Sequence, residues 1–179
     1  AWARLERGLG REGIQSYVLD ELLHLLSARI AAHLEVLAEG SLRLELRATT
    51  ETKGGTTAER IDKVVEVTTP EGEVRRRTLR QLSGGERRRL ALATLLAYRE
   101  LLEERGGMRV ELLVLDEAHQ FLDREGCQRF AALARGLECG TVLLVAQRDS
   151  HLTADFDTVD LVQKRGLAST LRASTQPSP

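Results

Sequence analysis

The chain has 179 residues, of which 42% are hydrophobic and 30% are charged, and its formal net charge at pH 7 is −1. This length and composition predict a globular protein with one domain, or one domain and an appendage, and since no run of about 18 apolar residues occurs, we expect no transmembrane helix and no membrane partner. The two cysteines, Cys127 and Cys139, lack the spacing of a zinc site or a disulfide framework, which favours a reducing compartment.

In the first half of the chain, hydrophobic periodicity predicts one long helix followed by β-structure. The predicted elements are a helix over 14–38, a strand over 41–48, a polar loop over 49–60 and a hairpin over 61–79. Gly40 supplies the stop for the helix, and Pro70 to Gly72 supply the turn of the hairpin. Because the sequence begins with Ala1 and its only methionine is Met108, we expect it to be a portion of a larger protein.

The second half of the chain alternates helical patterns with continuous apolar runs. Its predicted elements are a helix over 85–105, a strand over 110–115, a helix around 130–137, a strand over 141–146 and a hairpin from residue 158. The pair Gly106-Gly107 separates the first of these helices from the strand that follows it. Apolar strands that alternate with helices are typical of a parallel sheet buried on both faces, so the sequence predicts an α/β fold.

A Ser-Gly-Gly triplet, Ser83 to Gly85, precedes the helix over 85–105. Such a turn exposes backbone N–H groups, a hydroxyl and the positive end of the helix dipole, which together suit a phosphate. The alternative is an ordinary helix cap, because serine is a good N-cap residue. No glycine of the chain is followed by lysine, so the chain has no P-loop, and a phosphate bound here would have to be delivered by another element.

Two consecutive carboxylates, Asp116 and Glu117, follow the apolar run over 112–115. A strand that ends in two acids delivers them to the carboxyl edge of a sheet, where open α/β sheets bind their ligands. Asp116 can hold a hydrated Mg²⁺ on nucleotide phosphates, and Glu117 can take a proton from an attacking water. The alternative is a strand that simply ends in a solvated acidic pair.

The order of these features is that of a known ATPase class. LSGGE at 82–86, a helix, LLVLDE at 112–117 and then Asp123 resemble the signature motif, the Walker B strand and the D-loop of an ABC-type ATPase. The stretch RQLSGGERRRLALATLLA further resembles the SMC-like DNA repair ATPases of the SbcC type and the large recombination-nuclease subunits of tailed phages.

Two departures separate this chain from the transporter ATPases of the same superfamily. Glu86 stands where transporters usually carry glutamine, and Ala118-His119 follows the acidic pair where they usually carry Pro-Thr. Upstream, residues 13–46 resemble the segment in which the coiled coil of SMC-like proteins returns to the ATPase head. With this segment, the resemblance spans nearly all of the chain.

The resemblance implies an α/β fold, namely the carboxyl-terminal lobe of a P-loop NTPase head of the ABC type, with a mostly parallel sheet flanked by helices. The implied domains are the helical end of a coiled-coil arm over 1–39, the ATPase lobe over 40–172 and a disordered tail over 173–179. The implied cofactors are ATP and Mg²⁺. The implied partners are an amino-terminal lobe that carries the P-loop and a second head in a homodimer.

By the same resemblance, the nucleotide site has two halves. Asp116 would bind Mg²⁺ through water, Glu117 would be the general base, and Asp123 would communicate between the two ATP sites of the dimer. The residues that would meet ATP held by the second head are those of the signature motif: Ser83, Gly84, Gly85 and Glu86.

One position departs from the family pattern. After the strand over 141–146 these ATPases usually present a switch histidine that binds the γ-phosphate, but here the residue is Gln147 or Arg148, depending on a one-residue choice of alignment. His151 lies further along the chain. Glutamine can donate to a phosphate oxygen and arginine can neutralise developing charge, so hydrolysis is compatible with either. We expect Gln147 to take this catalytic place, with ATP-driven dimerisation and slow turnover.

The function implied by the resemblance is that of an ATPase in DNA double-strand-break repair or recombination. It would hydrolyse MgATP when two heads dimerise and would control the access of DNA to a partner nuclease of the SbcD type. Such a protein would lie inside the cell, in the cytoplasm, on the nucleoid or in the nucleus. The alternatives are a DNA clamp that binds ATP without turnover, a chromosome-organising SMC protein and, last, a transporter ATPase subunit.

Other charged residues allow two interpretations each. The arginine runs at 75–77 and 87–89 could track a nucleic-acid backbone or form a solvated surface. His24 and His33 have no partners at the spacing of a metal site, so we expect them to be surface histidines or satisfied core histidines.

Overall fold

A computed structural model of the chain describes residues 14, 16–53, 56–147 and 156–175. Among these residues the helices are α1 (Ser16–Ala38), α2 (Gly84–Gly106) and α3 (Arg124–Arg135), with a 3-10 turn at Leu79–Gln81. The strands are β1 (Leu42–Lys53), β2 (Thr56–Thr68), β3 (Val74–Arg77), β4 (Leu112–Asp116), β5 (Thr141–Val145), β6 (Thr158–Arg165) and β7 (Ala168–Thr175). The chain divides into two compact units, Ala1–Arg109 and Val110–Pro179, and the predicted α/β class is confirmed.

The core of the first unit lies between α1, α2 and β1. Apolar residues recur along α1 every three or four positions, so they share one face of the helix, and this confirms the predicted helix from Ser16 onward. In β1 alternate side chains point to the same side, which buries Leu42, Leu44 and Leu46. The buried apolar residues of α1 are Leu23, Leu26, Ile30, Leu34, Leu37 and Ala38.

A charged cluster joins α1 to α2. Arg29 Nη1 donates to Glu100 Oε2 at 3.1 Å, and the other terminal nitrogen of Arg29 donates to Glu104. His33 is buried, and its Nε2 lies 2.9 Å from Glu100 Oε1. Both oxygens of Glu100 therefore face cationic or donor groups of α1, which fixes the second half of α2 along that helix. Of the two placements expected for His33, surface or core, the structure shows the core, beside the carboxylate of Glu100.

The predicted polar loop over 49–60 is wrong, because β1 continues to Lys53 and β2 begins at Thr56. The two strands pair antiparallel from Leu42 opposite Val67 to Lys53 opposite Thr56. The polar composition of this segment led to the loop interpretation. Five of its twelve residues are threonine, however, and β-branched side chains favour extended backbone.

Glycines end both long helices at the predicted places. Gly40 follows α1 with φ +72°, and Gly107 follows α2 with φ +60°, and these left-handed conformations are ones that glycine adopts without the cost of a Cβ. The predicted hairpin over 61–79 is also confirmed, since β2 and β3 pair antiparallel up to Thr68 opposite Val74. None of the described helices is long and apolar enough to cross a membrane.

The second unit contains the predicted parallel pair of strands. β4 and β5 run parallel, with Leu112 opposite Thr141 and Asp116 opposite Val145. The sheets β1-β2-β3 and β6-β7 are antiparallel, so the expectation of a mostly parallel sheet holds only for β4 and β5 among the described strands. The antiparallel share is larger than expected because the segment 49–60 joins the first sheet.

The prediction that the β4-β5 sheet is buried on both faces is wrong for the part of the chain that the structure describes. Leu115 is only 4% exposed. The opposite face is open, and it also carries Asp116, two residues beyond Val114 along the same strand. The aliphatic residues of this open face are Leu112, Val114, Leu143 and Val145, which are 57, 52, 50 and 45% exposed.

The remaining elements of the second unit follow the sequence pattern with shifted ends. The helix expected around 130–137 begins earlier and ends at Arg135, so Leu137 lies beyond it. The hairpin expected from residue 158 is confirmed as β6 and β7. Because β7 continues to Thr175, the first residues of the predicted tail over 173–179 belong to a strand, and 176–179 lie outside the described residues.

Candidate nucleotide site

The amino-terminal end of α2 is closed by a reciprocal cap. Ser83 is the N-cap residue, and its hydroxyl oxygen accepts from the backbone N–H of Glu86 at 3.2 Å. In return, the backbone N–H of Ser83 donates to Glu86 Oε2 at 2.7 Å. The S-x-x-E spacing produces this pair because the first and fourth residues of a helical turn face each other. The structure therefore confirms that the Ser-Gly-Gly triplet begins with a helix cap.

The cap leaves the phosphate interpretation open as well. The N–H groups of Gly84 and Gly85 are the first two of the helix, so no helical carbonyl lies in reach of them. Ser83 and Gly84 are exposed. The hydroxyl oxygen of Ser83 accepts the bond from Glu86, so the hydroxyl proton can still be donated to a ligand. Two backbone donors, a hydroxyl and the positive helix terminus thus face outward together, which is the donor set of an anion site.

Glu86 has a structural role in this arrangement. Its Oε2 accepts from Ser83, and its Oε1 lies 3.7 Å from Arg77 Nη1 on β3. The carboxylate is half-buried and is held on both oxygens. Glu86 therefore stabilises the turn that presents the glycine amides. Its expected contact with the nucleotide stays a prediction.

Asp116 occupies the carboxyl end of β4, as the sequence predicts. Its side chain is exposed and has no hydrogen-bond or ion-pair partner among the described residues. No group of three or more acidic, histidine or cysteine side chains within the described ranges could hold a metal by itself. A single open carboxylate fits a Mg²⁺ ion whose other ligands are water and nucleotide phosphates, which is the usual manner of Mg²⁺ binding. Asp116 is the residue that would hold it.

Glu117 is the first residue after β4, and its conformation is unusual. Its φ is +47°, a left-handed value that non-glycine residues rarely adopt and that clusters at functional sites. Its backbone N–H donates to the carbonyl of Val145 at 2.9 Å, which continues the β4-β5 ladder by one bond. The side chain is half-buried, with its carboxylate beside the ends of both strands.

Two glutamine amides donate to the carboxylate of Glu117. Gln147 Nε2 donates to Glu117 Oε1 at 3.1 Å, and Gln120 Nε2 donates to Glu117 Oε2. The structure therefore brings the predicted general base together with the predicted switch residue. Arg148 and His151, the other candidates for the switch position, lie outside the described residues.

Sequence reasoning missed Gln120. The residue lies three positions after Glu117 in the turn that follows β4, and the backbone N–H of Gln120 donates to the carbonyl of Glu117 at 3.0 Å. A donor side chain three residues from an acid in a turn is the local signal that could have indicated the contact.

Asp123 closes this segment as the N-cap residue of α3. Its Oδ1 accepts from the backbone N–H of Gly126 at 2.9 Å. Phe121, two residues earlier, has φ +64° and is 71% exposed. Burial, and secondarily the negative charge of Asp123, raise the pKa of the Cys127 thiol in the first turn of α3. Communication between two ATP sites through Asp123 stays a prediction.

The arginines of β3 form ion pairs with acidic side chains. Three pairs of opposite charge neutralise it in part, which favours a solvated, ion-paired surface over a free track for a nucleic-acid backbone. The pairs are Arg75 with Glu73 at 2.7 Å, Arg76 with Glu66 at 3.2 Å and Arg77 with Glu86 at 3.7 Å.

Comparisons with known proteins give one match to a family model and a consistent fold. Residues 56–136 match the family model described as SbcC/RAD50-like, Walker B motif. Among curated proteins, no sequence matches this chain. The matched segment runs from the start of β2 to the end of α3, so it includes both the signature residues and the two carboxylates.

Several solved structures with this fold are SMC heads. One, from work on ATP-driven dimerization and DNA-stimulated activation of SMC ATPases, is 19% identical with a TM-score of 0.65, and 89% of each chain is covered. The Pyrococcus furiosus Smc head with an extended coiled coil, bound to the C-terminal domain of ScpA, is 18% identical with a TM-score of 0.63. The Thermotoga maritima SMC head is 18% identical with a TM-score of 0.52. This chain spans 37% of the Pyrococcus chain and 52% of the Thermotoga chain.

The fold of this chain is that of the SMC ATPase heads. More particularly, residues 56–136 are similar to the SbcC/RAD50-like Walker B family. The resemblance drawn from the signature and Walker B residues is confirmed.

Proposed function

We propose that this chain supplies half of a composite site at which two heads bind and hydrolyse MgATP. The observation that carries the proposal is the placement of Glu117 at the end of β4, beside the open carboxylate of Asp116 and in contact with Gln147. A base, a metal ligand and a donor for a phosphate oxygen are the groups that phosphoryl transfer to water requires.

Each residue has a defined role in this proposal. Asp116 holds Mg²⁺ through water, Glu117 takes a proton from the water that attacks the γ-phosphorus, and Gln147 donates to a γ-phosphate oxygen. Asp123, at the start of α3, lies at the dimer interface and links the two sites. The amides of Gly84 and Gly85, with the Ser83 hydroxyl, meet the γ-phosphate of ATP held by the other head.

The P-loop in this proposal comes from an amino-terminal lobe. The open face of the β4-β5 sheet supports such a partner, because four half-exposed aliphatic residues lie on the same face as Asp116. Exposed apolar patches of this kind mark surfaces that another element covers. A P-loop lobe docked on this face would bring nucleotide phosphates to the metal ligand.

The proposed setting is DNA double-strand-break repair or recombination inside the cell, with a nuclease of the SbcD type as partner and DNA as the controlled substrate. The SbcC/RAD50-like family match over 56–136 supports this setting over that of a chromosome-organising SMC protein. The solved SMC heads share the fold at 18–19% identity and so do not separate the two settings. A transporter role is disfavoured by the same family match.

The test uses heads reconstituted from this chain and a P-loop-bearing amino-terminal lobe. The chain alone should show no ATP binding by calorimetry at micromolar concentration, because most phosphate contacts come from the P-loop and its lysine. In reconstituted heads, Glu117→Gln keeps the shape of the side chain and removes the base. We expect this variant to dimerise with ATP while hydrolysis falls by about 10²-fold or more.

Three results would contradict the proposal. Stoichiometric ATP binding by the chain alone would show that the missing P-loop is not needed. Normal hydrolysis by Glu117→Gln would show that Glu117 is not the base. If wild-type heads dimerise with ATP but never turn it over, the DNA-clamp alternative is correct. Gln128→Ala, an exposed glutamine on α3, is the matched control and should behave as the wild type.

A further inference from the structure

Both oxygens of the Glu117 carboxylate accept a hydrogen bond, and the two donors differ in how they are held. Gln147 is exposed and follows the end of β5. Gln120 is half-buried and belongs to the same turn as Glu117. A carboxylate can accept but not donate, so the amide nitrogen of each glutamine faces it.

The turn that contains Gln120 is tied to Glu117 twice. The backbone N–H of Gln120 donates to the carbonyl of Glu117 at 3.0 Å, and its side-chain amide donates to Oε2 of the same residue. Between them, Ala118 is only 4% exposed, so the turn is anchored in the interior. The backbone bond keeps Gln120 beside Glu117 even when its side-chain amide turns away, whereas Gln147 contacts Glu117 through its side chain.

We propose that Gln120 is the positioning residue of the general base, an inference that rests on the proposed function. It holds Oε2 of Glu117 so that Oε1 points at the attacking water. Gln147 occupies Oε1 in the absence of nucleotide and exchanges this contact for a γ-phosphate oxygen when ATP arrives, which frees Oε1 to accept the proton of water. Gln120 stays bound to Glu117 through the reaction, and it touches neither ATP nor the water itself.

The physical need for such a residue follows from the backbone of Glu117. Its left-handed φ ends the strand geometry, so the strand no longer dictates where the side chain points. A glutamate side chain has three rotatable bonds, and only a fixed conformer places its oxygen for proton transfer. Misplacement of a catalytic group by about 1 Å can cost as much as about 10²-fold in rate. A donor fixed in the same turn removes this freedom.

The contact itself can be tested on this chain alone, without nucleotide or partner. In ¹⁵N–¹H spectra, the side-chain amide signals of Gln120 and Gln147 should both shift in Glu117→Ala, while those of Gln128 on α3 stay unchanged. The Gln120 amide protons should also exchange with solvent more slowly than those of Gln128, because they are bonded and half-buried. Unchanged Gln120 signals in Glu117→Ala would overturn the proposal at once.

The role is tested by kinetics in reconstituted heads. Gln120→Ala should lower kcat about tenfold while the KM for ATP and ATP-driven dimerisation stay within about twofold of the wild type. In a Glu117→Ala background, Gln120→Ala should have no further effect on the residual single-turnover rate, because a residue that acts only through Glu117 has nothing left to position. A merely structural role would lower stability and activity in both backgrounds.

The outcomes separate this inference from the proposed function. If Glu117→Gln abolishes hydrolysis but Gln120→Ala leaves kcat unchanged, Gln120 does not position the base and the proposed function stands. If Gln120→Ala lowers the rate equally with and without Glu117, the positioning role is wrong. If wild-type heads do not hydrolyse ATP and Glu117→Ala still shifts the Gln120 signals, the proposed function fails while the contact is real. Gln120→Leu, which keeps the bulk of the side chain, should reproduce Gln120→Ala.

Discussion

Gln147 Nε2 donates to Glu117 Oε1 at 3.1 Å although the two residues are 30 positions apart in the sequence. The parallel register explains the contact, since Asp116 lies opposite Val145 and the carboxyl ends of β4 and β5 therefore meet at one edge. The residue after β4 and the second residue after β5 come together there. A one-residue shift of either strand would turn one of the two side chains to the other face.

The first prediction concerns the switch position. In reconstituted heads, Gln147→Ala should slow single-turnover hydrolysis, because the γ-phosphate loses a donor. Gln147→His should speed it by about tenfold, since an imidazole restores the group that the family usually presents there. Both variants should still dimerise with ATP, because Gln147 is exposed and no buried group depends on it.

The competing assignments at this position give the control. Arg148→Ala and His151→Ala should keep the wild-type rate. Loss of rate only in His151→Ala would assign the switch to that histidine, and unchanged rates in all three alanine variants would place the switch elsewhere in the chain.

The sequence predicts well those features of the fold that depend on local backbone conformation. The ends of α1 and α2 are set by Gly40 and Gly107, whose positive φ values identify them as stops. The segment 49–60 was misread because polarity reports exposure to solvent, whereas threonine content reports backbone preference. The burial of the β4-β5 sheet could not be predicted, because the strand pattern does not report which face of the sheet another element covers.

The candidate site likewise has features that the sequence predicts and features that it does not. The Ser83 cap is local and follows from a four-residue pattern. Strand alternation would point the consecutive residues Asp116 and Glu117 to opposite sides, but it does not give the direction of Glu117, because a left-handed residue breaks the alternation. The contacts of the Gln120 and Gln147 amides depend on where the Glu117 side chain points. Predicting these contacts therefore requires the three-dimensional structure.

The second prediction separates the cap from the phosphate site at Ser83. Ser83→Ala removes the side-chain acceptor and should cost about 1 kcal/mol of stability in this chain, seen as a thermal midpoint lower by about 3 °C. It keeps the backbone amides, so ATP-driven dimerisation of reconstituted heads should persist. Ser83→Asp should do the reverse, since aspartate caps a helix well but repels a phosphate.

Scanning calorimetry and size-exclusion chromatography with ATP measure the two properties separately. Gln128→Ala is the control in both experiments. If Ser83→Asp dimerises with ATP as well as the wild type does, no phosphate approaches Ser83, and the triplet is a helix cap only.

The third prediction concerns the pH dependence of Cys127. Burial raises the pKa of this thiol and the charge of Asp123 raises it further, so the folded chain holds less thiolate at a given pH than the unfolded chain does. Alkylation of Cys127 in a Cys139→Ser background should therefore need a higher pH in the folded chain than in denaturant. By the same linkage, the thiol contributes stability below its unfolded pKa that is lost as the pH rises through the folded pKa.

Asp123→Asn tests the cause of this shift. Asparagine caps helices as well as aspartate does, so α3 should keep its first turn, while the loss of the negative charge should lower the pKa and speed alkylation. The rate is measured by mass spectrometry after timed exposure to iodoacetamide. Equal rates in the folded and unfolded chains across the alkaline range would contradict the prediction.

The last prediction concerns the open face of the β4-β5 sheet. Leu143 is half exposed at the centre of that face, so Leu143→Asp should leave the thermal midpoint of this chain nearly unchanged. In a complex with the P-loop-bearing lobe, however, the new carboxylate would be buried without a partner, at a cost well above about 1.4 kcal/mol. The affinity for the lobe, measured by calorimetry, should therefore fall at least about tenfold. Leu167→Asp, at a fully exposed position between β6 and β7, is the matched control and should bind normally. Wild-type affinity in Leu143→Asp would mean that the lobe docks elsewhere, and the four aliphatic residues of this face would then need another partner.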